Sequence, residues 1–138
     1  GRGSPARSAR SWANRAAGPY NADALALAVP APDGQDTPWH QVRLLLRLHR
    51  YAQEVVAPDA APDPRVTAAR HALDHHRDAS EAAHEAASAA ATPRIAPTTA
   101  YALGVLHADQ RHEVEAARYA FQRAWAGESV GASATLEP

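Results

Sequence analysis

The sequence predicts an all-α protein, an antiparallel three-helix bundle. Three observations carry that expectation. Thr37-Pro38 and Asp63-Pro64 each place an oxygen-bearing side chain before a proline, and Pro97 precedes Thr98 and Thr99. At a helix start the oxygen accepts an early backbone N–H, and the missing N–H of proline costs nothing in the first turn. After each opening, apolar residues recur at intervals of three and four, the helical period. The runs of β-branched residues that a strand-based fold needs do not occur. The breaks APDAAPDP (57–64) and TPRIAP (92–97) are short, so neighbouring helices should run antiparallel.

Taken in order, residues 1–18 form an arm rich in Arg and Ser, with Trp12 as its one large anchor, and this composition is expected to stay flexible. Residues 19–36 form a linker. Within it, NADALALAV (21–29) reads as a short fourth helix capped by Asn21, although Leu25, Leu27 and Val29 also alternate as in a strand. Residues 37–126 hold the bundle. The first helix spans 38–57, with Leu44, Leu45, Leu48, Tyr51, Ala52, Val55 and Val56 as its apolar face. The second spans 64–91. Its Val66, Ala69, Leu73, His76, Ser80, Ala83, Ala87 and Ala90 recur alternately at three and four, a heptad seam built mostly of small residues. The third spans 98–126, with a stripe of Leu103, Leu106, Val114, Ala117, Phe121 and Ala124 and with Trp125 at its end. Gly127 should stop it and leave 127–138 as a mobile tail.

Composition sharpens the problem that this fold must solve. The chain has 138 residues, of which 46% are hydrophobic, but 36 of them are alanine. A buried CH₂ contributes only about 0.8 kcal/mol, so an alanine interior is weak unless helix axes come close or a partner adds bulk. The expected partner is therefore a second copy, as a homodimer, or another protein. The residues expected to meet it are Val66, Ala69, Leu73, His76, Ala83 and Ala87 of the second helix.

Charge and motif content exclude several classes. There is no Cys, which removes disulfides, thiolate metal sites and cysteine nucleophiles. No apolar run approaches the roughly 20 residues of a membrane span, and no signal peptide is visible, so no membrane partner and a cytoplasmic location are expected. The sequence lacks a phosphate-cradling glycine loop, a nucleophile elbow and an HExxH motif, so the expectation is a non-enzymatic protein without a cofactor. All 14 basic residues are Arg and the net charge is −1. Arginine without lysine, beside abundant Ala and Pro, reads first as GC-rich coding.

Two alternatives draw on polar residues. Arg2, Arg7, Arg10 and Arg15 of the arm, with Arg43, Arg47 and Arg50 recurring on one side of the first helix beside His40, could make weak DNA or RNA contacts through phosphates. Such contacts bring no sequence specificity, and Arg50 can instead pair with Glu54 at i+4. Glu81-x-x-His84 and Asp109-x-x-His112 resemble half of the ligand set of a carboxylate-bridged metal bundle. His71, His75 and Asp78 form a second metal-like spacing, although the seam register turns them to solvent. His76, inside the seam, reads as a histidine that fixes register.

Overall fold

A computed structural model describes residues 35–134. They form three helices: α1, Asp36–Val56; α2, Pro64–Ala90; and α3, Pro97–Ala134. Among the described residues there is no strand, and the chain is all-α with the helix count expected of a three-helix bundle. The expectations for the arm (1–18), and for the linker with its short helix up to residue 34, lie outside the described residues. Two compact units divide the chain, one reaching Val66 and the other running from Thr67 to the end.

The helix starts show which local signals act. Asp63 Oδ1 accepts the backbone N–H of Arg65 at 2.9 Å, so the expected cap of α2 is formed and Pro64 opens the helix. At α1 the expectation fails by two residues. The helix begins at Asp36, before Thr37, and its N-cap, Gln35, makes no side-chain capping bond. Asp36 instead places a carboxylate in the first turn, where the helix dipole favours negative charge. α1 ends as the Ala57 N–H reaches the Gln53 carbonyl at 2.8 Å.

The turn between α2 and α3 is short and specific. The N–H of Ala91 is shared between the carbonyls of Ala87 and Ser88, and that of Thr92 reaches Ala89, which tightens the last turn of α2. Ile95 N–H then bonds back to the Thr92 carbonyl at 3.3 Å. Pro93 and Arg94 occupy the centre of this four-residue turn, and Arg94 has φ 62°. That is the pattern of a type II turn, with proline at its second position and a left-handed residue at its third, where glycine is the usual choice.

Cross-contacts fix α2 and α3 as an antiparallel hairpin: His75 meets Glu113, His76 meets Arg118, and Ala83 meets His107. The buried apolar side chains of this hairpin are Ala69, Ala72, Leu73, Ala79, Ala83, Ala86, Val114, Ala117 and Phe121. Six of these nine are alanine, as the composition required. Phe121 is buried and stacks on Trp125, with centroids 5.8 Å apart and planes inclined by 11°.

Three details of the expected registers are corrected. On α2 the seam holds from Ala69 through Ala83 and then shifts by one: Ala86 is buried and Ala87 is exposed. On α3 the inward series is Leu103, His107, Gln110, Val114, Ala117, Phe121 and Ala124, all buried or half-buried, whereas Leu106 is exposed. α3 also does not stop at Gly127 but runs on to Ala134. A glycine within a helix costs only about 1 kcal/mol relative to alanine, too little to end a helix that continues on both sides.

α1 departs furthest from expectation. Its buried residues are Trp39, Val42, Leu46 and His49. Of the face expected to be inward, Leu44, Leu48, Tyr51 and Val55 are exposed, Val55 by 82%, while Leu45, Ala52 and Val56 are half-buried. At about 100° per residue the buried and exposed sets lie on roughly opposite sides of the helix.

Candidate functional site

Two arrangements could carry function: a histidine layer in the α2–α3 hairpin and the outward apolar stripes of α1 and α3.

The histidine layer follows the hairpin axis. Arg118 Nε donates to His76 Nε2 at 3.2 Å, and both side chains are buried. A ring nitrogen that accepts a hydrogen bond carries no proton, so His76 is the neutral tautomer with its hydrogen on Nδ1. Nearer the turn, His107 Nδ1 lies 2.9 Å from the Ala83 carbonyl oxygen. The carbonyl can only accept, so this nitrogen is the donor. At the rim, His75 Nε2 meets Glu113 Oε2 at 2.8 Å, with both side chains about half exposed. All three histidines thus tie one helix to the other. In an interface of alanine they supply direction, because a hydrogen bond specifies register where methyl groups do not. His76 lies buried in the seam and is hydrogen-bonded across it; sequence reasoning missed Arg118 and His107. His107 falls on the alternating three-and-four series of α3, a signal that appears once polar residues are allowed into the pattern, whereas Arg118 sits beside that series, next to Ala117.

The metal-like spacings do not converge. Glu81, His84, Asp109 and His112 are all exposed. Glu81 is paired instead with Arg77 one turn earlier, at 3.0 Å. Among the described residues no group of three or more His, Asp or Glu is placed to hold a metal ion. His71 and Asp78 point outward as expected, and His75 joins Glu113 instead of His71.

Of the residues assigned to polyanion contact, Arg2, Arg7, Arg10 and Arg15 lie outside the described residues. On α1, Arg50 Nε meets Glu54 Oε1 at 2.8 Å, the i+4 pair that the spacing predicts, and its guanidinium lies 5.6 Å from the Tyr51 ring centroid. The hydrogen bond to Glu54, and then its charge, hold Arg50 more firmly protonated than usual. Arg47 donates to the Tyr51 hydroxyl at 3.4 Å. That bond, followed by the positive charge of Arg47, lowers the pKa of Tyr51 below the ordinary tyrosine value. Arg47 and Arg50 are therefore engaged along their own helix, bracing Tyr51.

The residues expected to meet a partner are placed differently from the expectation. Ala69, Leu73, His76 and Ala83 are buried within the chain itself, Val66 is half-buried, and Ala87 is exposed. The large apolar groups left outward are Leu44, Leu48, Tyr51 and Val55 on α1, and Tyr101, Val105, Leu106 and Tyr119 on α3. On α1 they recur at four, three and four, one continuous heptad stripe. On α3 they are more scattered, with Tyr101 77% exposed at the turn end and Arg123 lying over the Tyr119 ring at 5.8 Å. Among the described residues no helix is long and apolar enough to cross a membrane.

Among solved structures, the chain is similar to PptA from Streptomyces chartreusis, at 54% identity and a TM-score of 0.67. The match covers 88% of this chain and 46% of that one, so the chain spans a little under half of the relative's length. No family model matches, and no curated protein matches.

Proposed function

We propose that this chain is a non-enzymatic helical interaction module that acts through the outward apolar faces of its helices. One observation carries the reading. A chain short of apolar bulk keeps four large apolar side chains in a continuous stripe on the outside of α1, while its hairpin interior is made mostly of alanine. Single exposed apolar residues are ordinary, but a contiguous helical stripe is the form that helix-in-groove and coiled-coil contacts take. The relative from Streptomyces chartreusis supports the same reading from another side. It carries further chain beyond the part that this sequence resembles, and such chain is one kind of neighbour that an outward face could meet. The histidines support it too, since His75, His76 and His107 are engaged in joining α2 to α3.

Native mass measurement in extract from producing cells tests the reading. The expected result is a particle heavier than the 14.6 kDa chain, reduced toward that mass by Leu48→Glu. A chain that runs at its own mass both in extract and when purified overturns it.

A further inference from the structure

We propose that the occupant of the α1 stripe is α1 of a second copy, packed antiparallel about a two-fold axis midway along the helix. The inference rests on the interaction-module reading and names its partner.

Leu44, Leu48, Tyr51 and Val55 are spaced four, three and four, a sequence of intervals that reads the same from either end. Turned end for end about a point between 49 and 50, the stripe lands on itself, with Leu44 against Val55 of the second copy and Leu48 against Tyr51. A two-fold interface demands this self-complementarity, because each patch must serve as both knob and hole.

The flanks satisfy it as well. Along one edge of the stripe run Arg47 and Glu54, seven residues apart. The same rotation sets Arg47 of each copy beside Glu54 of the other, so that Glu54, already joined to Arg50 of its own helix, faces a second arginine across each contact, at the positions that govern orientation in coiled coils. In a parallel pairing the edge carrying Arg47 and Glu54 would instead face the Leu45–Ala52 edge of the second copy, and these charges would meet no opposite charge. Along the other edge run Leu45 and Ala52, which meet each other and extend the apolar strip. Tyr51 is already braced, with Arg47 on its hydroxyl and Arg50 near its ring. An aromatic held in this way loses little side-chain freedom on binding. The stripe lies on the side of α1 away from Trp39, Val42, Leu46 and His49, so pairing leaves the buried face undisturbed.

The test uses the whole chain. Light scattering and sedimentation across micromolar concentrations should show a reversible dimer at twice the 14.6 kDa chain mass. Leu48→Glu should weaken it at least 100-fold while helix content is kept, since Leu48 is exposed. Arg47→Glu alone and Glu54→Arg alone should each weaken the dimer, and the two together should restore it. Because the chain has no cysteine, a mixture of Leu44→Cys and Val55→Cys chains should cross-link on oxidation, whereas Leu44→Cys alone should not.

A dimer unaffected by Leu48→Glu overturns the proposal, as does a Leu44→Cys chain that cross-links with itself as readily as with its counterpart. A purified chain that stays monomeric but is heavier in extract also overturns self-pairing while keeping the interaction reading. A chain monomeric in both overturns the two together.

Discussion

The α2–α3 hairpin buries six alanines beside Leu73, Val114 and Phe121, whereas α1 buries Trp39, Val42 and Leu46 and still displays Leu44, Leu48, Tyr51 and Val55. The hairpin closes on small side chains and leaves Tyr101, Val105, Leu106 and Tyr119 of α3 outside; its two helices are joined by His76–Arg118 and His107–Ala83. α1 has more bulk than one face can bury. Apolar content and burial are therefore separate quantities. A helix poor in apolar volume can be closed, and one rich in it can remain open.

Cutting the same side chain from each region should give the largest contrast. Leu73 is 1% exposed and Leu48 is 42% exposed. Leu73→Ala should cost about 2–5 kcal/mol of unfolding free energy, the range for emptying a packed leucine site. Leu48→Ala should stay within about 0.5 kcal/mol in the monomer, as surface changes do. Urea denaturation at a concentration low enough to exclude association reads both, and equal losses would erase the distinction.

The next effect concerns what holds the hairpin together. His76→Leu adds apolar volume to an interior that lacks it, yet it removes the acceptor that Arg118 Nε uses. Leaving a buried donor unmet costs about 1–3 kcal/mol, so this variant should be less stable by that amount. A gain in stability would mean that the hairpin relies on bulk rather than on hydrogen-bonded register.

A smaller effect should have the opposite sign. Gly104 lies within α3, and a Cβ added there would meet nothing within 4 Å. Gly104→Ala should therefore stabilise the chain by about 0.5–1 kcal/mol by restricting the unfolded state, seen as a higher denaturation midpoint at unchanged slope.

The smallest effect belongs to α1. The Tyr51 hydroxyl should titrate below the ordinary tyrosine value because of Arg47, and Arg47→Gln should move it back up. The sign follows from which form the fold favours. A lowered folded pKa means that the phenolate is held better in the folded chain. The associated stability is present above the unfolded value and fades as pH falls through the folded one. Ring-carbon NMR of labelled tyrosine across alkaline pH checks this, and a resonance unmoved by Arg47→Gln would remove the contact.

Much of the fold was legible because it depends on local chemistry. Asp63-Pro64 capped α2 as its side chain requires, the proline-bounded breaks separated the helices, and Arg50–Glu54 followed from spacing alone. The inward side of α1 was not legible for a physical reason: both of its sides are apolar, and periodicity cannot say which one is covered when each satisfies the pattern. Trp39 and His49 decide the matter in the structure, yet one stands at the helix start and the other is polar, so neither was counted. The partner residues placed on the α2 seam failed as an outward surface for a related reason. Small residues signal close approach, but nothing in their spacing tells whether the approaching helix belongs to the same chain. Here α3 does approach that face, joined to it at His76 and Ala83, and Ala69, Leu73 and Ala83 are buried.

The alanine lining of the hairpin reverses the usual direction of mutational risk. In most interiors the danger is truncation, but there is little to truncate at Ala69, Ala72, Ala79, Ala83 or Ala86. The danger is growth. Every alanine codon is one base from a valine codon, and the two added methyl groups would wedge the helices apart, at about 1–3 kcal/mol for an overfilled site. The tolerant alanines should instead be those facing water, such as Ala87, one position away from the buried Ala86.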